Sequence, residues 1–225
     1  MTERSVATTT HGRYLVVPSA ASGPAPMLVG FHGYGEDAET QLERLRAIPR
    51  SASWVIVSIQ GLHRFYERRT NRVVASWMTR QDRESAIADN LAYVQNCVNA
   101  VAAEWSTTPK FVFAGFSQGV AMAFRAATNV AGSEAGVIAV GGDIPPELAP
   151  DALKRLSEVA IVRGASDEWY KQEQFAADKK RLTELSVNLR AVEFDGGHEW
   201  SPDVAAAASD FLATSYPAST LPRSR

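Results

Sequence analysis

The chain has 225 residues, 45% of them hydrophobic and 21% charged, with a formal net charge of −2. That length suits one α/β domain with a full hydrophobic core, and so small a net charge speaks against nucleic acid as a partner. A single cysteine, Cys97, excludes an internal disulfide and a cysteine metal cluster, and no run approaches the ~18 apolar residues of a membrane span.

From Met1 to Gly12 the chain is polar and rich in threonine, without the charged start and apolar run of a signal peptide. Residues 1–12 are therefore expected to be a mobile start, and a cytoplasmic location is expected. Tyr14 to Val17 reads as a weak first strand, ended by Pro18. Met27 to Phe31 is an apolar strand running into His32-Gly33-Tyr34-Gly35. Ala38 to Ile48 has helical spacing through Leu42, Leu45 and Ile48, and Pro49 stops it. Trp54 to Ile59 is a β-branched strand.

Between Gly61 and Asp82 neither period persists. Ser85 to Trp105 is the longest predicted helix, with Ile87, Leu91, Val94, Val98 and Val101 on one face and Cys97 read as packing. Phe111 to Ala114 is a strand and Val120 to Ala127 a helix. Strands at Val137 to Val140 and Val159 to Val162 follow, then a helix from Trp169 to Leu185. Leu189 to Phe194 is the last strand and Pro202 to Thr214 the last helix. Short apolar runs alternating with helices predict one doubly wound, mostly parallel sheet over residues 13–215, with 216–225 a mobile tail. Only Gly141 to Glu158 separates two successive strands, too little for an inserted lid domain.

Gly115-Phe116-Ser117-Gln118-Gly119 matches G-x-S-x-G. Average glycine and serine usage produces that pattern by chance in roughly one chain in fifteen, so its setting carries the argument. An apolar strand precedes it and a helix follows, which is the strand–turn–helix context of a nucleophile elbow. The glycines leave room for the turn, and the helix N-terminus beyond Ser117 favours developing negative charge. The bland reading is a serine N-cap between packing glycines.

Serine needs an imidazole to take its proton, and the imidazole needs a carboxylate to hold its tautomer. In hydrolases with such an elbow the chain order is serine, acid, histidine. His11, His32 and His63 precede Ser117; His198, in the turn Asp195-Gly196-Gly197-His198, follows it. Asp167, just past the strand Val159 to Val162, is the expected acid, because ligand and catalytic groups collect at the carboxyl ends of parallel strands. Asp143 is its rival, Asp195 is too near His198 in the same loop, and Glu199 reads as solvent-facing. The Gln118 amide and an amide from the glycine loop, Tyr34, are the expected oxyanion donors. His32 is expected to brace that loop without taking part in proton transfer.

His32-Gly33-Tyr34-Gly35-Glu36, Gly115-Phe116-Ser117-Gln118-Gly119, Gly164-Ala165-Ser166-Asp167 and Gly197-His198 together resemble the phospholipase/carboxylesterase family of α/β-hydrolases, which includes acyl-protein thioesterases. The resemblance runs from about Tyr14 to Leu212. It implies a lidless hydrolase of carboxylic esters or thioesters, with no cofactor and a small-molecule substrate. Its triad would be Ser117, Asp167 and His198, and its oxyanion hole the amides of Tyr34 and Gln118. The arginines between Gly61 and Asp82 and the bulky Glu168, Trp169 and Tyr170 depart from the pattern.

Leu62, Phe65, Tyr66, Trp77, Met78, Trp169 and Trp200 lie in or beside loops at the catalytic end and are candidate walls of an acyl pocket, against the alternative of plain packing. Arg64, Arg68, Arg69, Arg72 and Arg80 read as a solvated loop or as recognition of an anion. The same triad would also serve an acyltransferase or a small peptidase, and the scaffold alone would serve a non-catalytic binding protein.

Overall fold

The computed structural model describes residues 1–2, 4–130 and 135–215. The expected mobile tail at 216–225 lies outside the described residues. Its sheet has seven strands: β1 (Arg13–Val17), β2 (Ala25–Phe31), β3 (Val55–Gln60), β6 (Thr107–Phe116), β7 (Ala135–Val140), β8 (Glu158–Gly164) and β9 (Leu189–Phe194). They lie in the order β1-β3-β2-β6-β7-β8-β9, all parallel except β1, which pairs antiparallel with β3 at one edge. A separate two-stranded hairpin joins β4 (His63–Tyr66) to β5 (Val73–Ser76).

Helices cover both faces, which is why the central strands read as continuous apolar runs. On β2, Met27, Val29 and Phe31 pack to one side with Val94, Val98 and Val101 of α2 (Arg83–Glu104), Met122 and Ala123 of α3 (Gln118–Asn129), and α5 (Gln172–Glu184). Leu28, on the alternate register, packs to the other side with Leu45 of α1 (Ala38–Arg46) and Val204 and Phe211 of α6 (Pro202–Ser215). A four-residue helix, α4 (Pro150–Leu153), interrupts the β7–β8 connection. Among the described residues no helix is long and apolar enough to cross a membrane.

Three differences from the sequence reading have physical causes. The 61–82 segment holds the β4–β5 hairpin; β4 is exposed along its whole length, so it shows no alternation of apolar and polar residues to read. β6 starts four residues early, at Thr107, because its first residues lie outside the core and need not be apolar. The helix expected from Trp169 begins at Gln172. Asp167 Oδ1 accepts the amides of Trp169 at 2.8 Å and Tyr170 at 2.9 Å, and this Asx-type turn holds those residues out of the helix.

Candidate active site

β6 ends at Phe116 and α3 begins at Gln118, leaving Ser117 alone to turn the chain. Its backbone sits at φ 51°, ψ −119°, a strained region for a residue with a Cβ. The strain is held by a 2.9 Å bond from the Ser117 amide to the Val140 carbonyl on β7 and a 3.0 Å bond from the Val120 amide to the Ser117 carbonyl. At Gly119 any side chain would overlap the Phe31 and His32 carbonyls, so glycine there lets the end of β2 lie directly against the start of α3.

At the neighbouring strand ends, His198 Nδ1 lies 2.9 Å from Asp167 Oδ2. An ionised carboxylate only accepts, so Nδ1 carries the proton and Nε2 is left with its lone pair. The Asp167 side chain is 1% exposed and the His198 side chain 21%. With both Asp167 oxygens engaged, the carboxylate has one orientation. The His198 ring packs 4.9 Å from that of Phe116, the residue before Ser117, and 6.4 Å from that of Trp169. Asp143, the rival acid, is exposed and bonds no histidine among the described residues.

The loop after β2 is braced from several sides. His32 is fully buried; its Nδ1 contacts the Gly33 carbonyl at 2.7 Å, and its Nε2 accepts the Gly61 amide at 2.9 Å. Accepting at Nε2 requires the neutral ring, and burial pushes the His32 pKa down in the same direction. The Gly33 amide donates to Glu36 Oε2 at 2.7 Å, the Gly35 amide to the Ala75 carbonyl at 3.0 Å and the Glu36 amide to the Gly33 carbonyl at 3.3 Å. Among the described residues the Tyr34 amide has no protein acceptor, and neither has that of Gln118 at the start of α3. The Gln118 side chain is fixed: its Oε1 accepts the Trp77 amide at 3.0 Å and its Nε2 donates to the Met78 carbonyl at 3.0 Å.

A cleft of about 260 Å³ opens beside Ser117, lined by Gln118, Gly141, Asp143, Trp169 and Tyr170 among others. Of the seven side chains expected to wall an acyl pocket, Trp169 is the one that reaches it. Trp77 is fully buried and donates from Nε1 to the His32 carbonyl at 2.9 Å, so it supports the loop after β2 from below. Trp200 packs against the core on the α1/α6 side of the sheet. Met78 is half-buried with its sulfur 3.8 Å from the Arg125 guanidinium, and Leu62 is half-buried after β3. Phe65 and Tyr66 are exposed on β4, the Phe65 ring 5.7 Å from that of Tyr34. In the arginine-rich segment Arg72 pairs with Asp37 at 2.6 Å and Arg64 bonds the His11 carbonyl at 3.1 Å.

Two groups at the site carried no motif. Gly141 ends β7 at φ +65°, and a Cβ there would come within 3.1 Å of His198 Nδ1 and Cε1. A double glycine directly after a strand was the available signal. Tyr170 and Asp178 form a buried pair behind the Asp167 turn, and only the three-dimensional packing joins them.

A doubly wound sheet with a strained serine between its central strand and the following helix, and an Asp–His pair at the adjoining strand ends, defines an α/β-hydrolase. The chain belongs to the phospholipase/carboxylesterase family, whose pattern matches residues 13–216, and is by that membership a carboxylic ester hydrolase. Among solved structures it resembles the Zea mays acyl-protein thioesterase 2 at 18% identity, TM-score 0.68, covering 91% of this chain and 99% of that one. It also resembles esterase PE8 at 20% identity, TM-score 0.67, covering 91% and 99%. A third is the Bacillus cereus carboxylesterase at 16% identity, TM-score 0.65, covering 91% and 95%. At these identities the likeness speaks to the fold alone. No curated protein matches the sequence.

Proposed function

We propose that this chain hydrolyses small carboxylic esters or thioesters through an acyl-enzyme on Ser117. The carrying observation is the Asp167–His198 pair, 2.9 Å apart, at the same end of the sheet as the strained Ser117 turn. His198 Nε2 takes the Ser117 proton as Oγ attacks the acyl carbonyl. Asp167 holds the imidazolium and remains ionised. The developing oxyanion is met by the amides of Tyr34 and Gln118, neither of which has an acceptor among the described residues. His198 then protonates the leaving alcohol or thiol. With 21% of its side chain open to solvent, it also activates the water that releases the acid.

The cleft volume favours short acyl or alcohol groups over long fatty chains. The test is hydrolysis of p-nitrophenyl esters from acetyl to long acyl chains by wild type, Ser117→Ala and His198→Ala. Each variant should lose on the order of 10⁴-fold in rate, and a fluorophosphonate should label wild type but not Ser117→Ala. Undiminished turnover by Ser117→Ala sinks the mechanism.

A further inference from the structure

Trp169 is 78% exposed, the most exposed aromatic ring among the described residues. Its backbone is nonetheless fixed, since its amide donates to Asp167 Oδ1 at 2.8 Å. That anchors the start of the side chain, and the ring lies 6.4 Å from that of His198, at the wall of the cleft beside Ser117. The ring is not used for burial, and its face is open to a ligand in the cleft.

The opposite feature of the same cleft is its charge. Among the described residues lining it, Asp143 alone carries a charged side chain, and that side chain is exposed. Asp143 sits close enough to Tyr170 and Asp178 to disfavour ionisation of both. Glu168 and Lys171, on either side of Trp169-Tyr170, are exposed outside the lining and offset one another. The Arg163 guanidinium is buried and turned to the Tyr170 carbonyl, Gln172 and Glu193. A volume of 260 Å³ equals a sphere about 8 Å across, so a ligand that fills the cleft touches both Trp169 and Asp143.

We propose that the cleft selects esters bearing a positively charged ammonium group, held between the Trp169 ring and the Asp143 carboxylate. This rests on the serine-esterase reading above. An aromatic face attracts a cation through its quadrupole and a carboxylate through its charge, and both disfavour an anionic substrate. The selectivity is modest because Asp143 is solvated, about five- to tenfold in kcat/KM over a neutral ester of the same shape.

Two matched pairs of esters test this. Acetylcholine and 3,3-dimethylbutyl acetate put the charge, or its neutral isostere, on the alcohol. Trimethylglycine methyl ester and methyl 3,3-dimethylbutanoate put it on the acyl group, and monomethyl succinate supplies an anion. Each is assayed with wild type, Asp143→Asn and Trp169→Leu, and the cation-to-neutral ratio in each variant is divided into that of wild type to cancel intrinsic reactivity. At least one pair should favour the cation in wild type, and that preference should shrink about two- to threefold in each of Asp143→Asn and Trp169→Leu. On wild type, tetramethylammonium chloride should inhibit at concentrations where sodium chloride of equal ionic strength does not. Ester hydrolysis without cation preference, or a preference that both variants retain, overturns this proposal and leaves the esterase reading standing. No turnover of any ester or of an acyl thioester, p-nitrophenyl acetate and S-acetylthiocholine included, overturns both.

Discussion

The Tyr170 hydroxyl donates to Asp178 Oδ2 at 2.8 Å, and the same oxygen accepts the Ile144 amide at 3.1 Å. The Tyr170 amide in turn holds Asp167 at 2.9 Å. One carboxylate on α5 thus ties together the turn that presents Asp167 and the loop that carries Asp143. Burial, with Asp143 adding a like charge, pushes the Asp178 pKa up to about 6, against which the two hydrogen bonds work.

The sign of the pH dependence follows. In the unfolded chain Asp178 releases its proton near its ordinary value of 3.8, whereas the folded protein keeps it until about pH 6. Between those values the folded state binds the extra proton, so the Asp178 contribution to stability falls as pH rises from about 4 to 6. Asp178→Asn keeps an oxygen for Tyr170 and Ile144 but cannot ionise. Its melting temperature relative to wild type should therefore climb over pH 4–6 and level off above, a gain of roughly 2–3 kcal/mol. A difference in Tm that stays flat from pH 4 to 7 rejects this account.

Gly141 tests how tightly the Asp167–His198 pair is held. Alanine there would adopt φ +65° at a cost of about 1 kcal/mol and press its Cβ on the His198 ring from 3.1 Å. Displacing that ring by a few tenths of an ångström should lower kcat roughly tenfold or more, with KM little changed. The check is steady-state hydrolysis of p-nitrophenyl acetate beside a thermal melt; full kcat at an unchanged Tm would show that the ring has slack.

Gln118 offers a second positioning test. Its side chain pairs with the Trp77 amide and the Met78 carbonyl much as a peptide group would. Gln118→Met keeps the length and the backbone amide but leaves the Trp77 amide unpaired and the Met78 carbonyl with the Ser76 hydroxyl alone, at about 1–3 kcal/mol. Because the segment it pins carries Trp77, which donates to the His32 carbonyl, the loop holding the Tyr34 amide should loosen. The expected result is a roughly tenfold fall in kcat. A fall in Tm with no change in kcat would confine Gln118 to stability.

What the sequence disclosed depended on how local each signal was. The turn at Ser117 is written in five consecutive residues between a strand and a helix. The alternating elements of the sheet show as apolar runs because the central strands are buried on both faces. Leu189–Phe194 was legible to its ends, whereas the β4–β5 hairpin was not, since an exposed four-residue strand has no core face to pattern it. Aromatic character alone did not separate roles. Trp77, Trp169 and Trp200 look alike as residues in loops, yet the structure puts the first under the loop after β2, the second at the cleft and the third against the core. That sorting depends on neighbours distant in sequence, as does the Tyr170–Asp178 pair.

Arg125 gives the sharpest prediction for stability. Its guanidinium, on α3 one turn beyond the cleft residue Ala121, is 2% exposed. Nε and one terminal nitrogen donate to Glu147 Oε1 at 2.9 and 2.6 Å, and the other terminal nitrogen lies 3.8 Å from the Met78 sulfur. Burial pulls the Arg125 pKa down and Glu147 opposes it, so the buried charge depends on a partner that is itself 38% exposed. Removing the two partners should therefore have unequal effects. Glu147→Ala leaves a buried cation without its counter-ion and should cost about 2–3 kcal/mol, a fall in Tm of roughly 5–10 °C for a domain of this size. Arg125→Met leaves Glu147, part-exposed, to solvent and to its 3.3 Å pairing with Arg83, and keeps an apolar filling against Met78, so its cost should be smaller. In the double variant most of the Glu147→Ala loss should vanish, because no cation remains to be stranded. Thermal melts of the four proteins at pH 7 measure the coupling directly, and simple additivity of the two single changes would show that Glu147 does not carry the Arg125 charge.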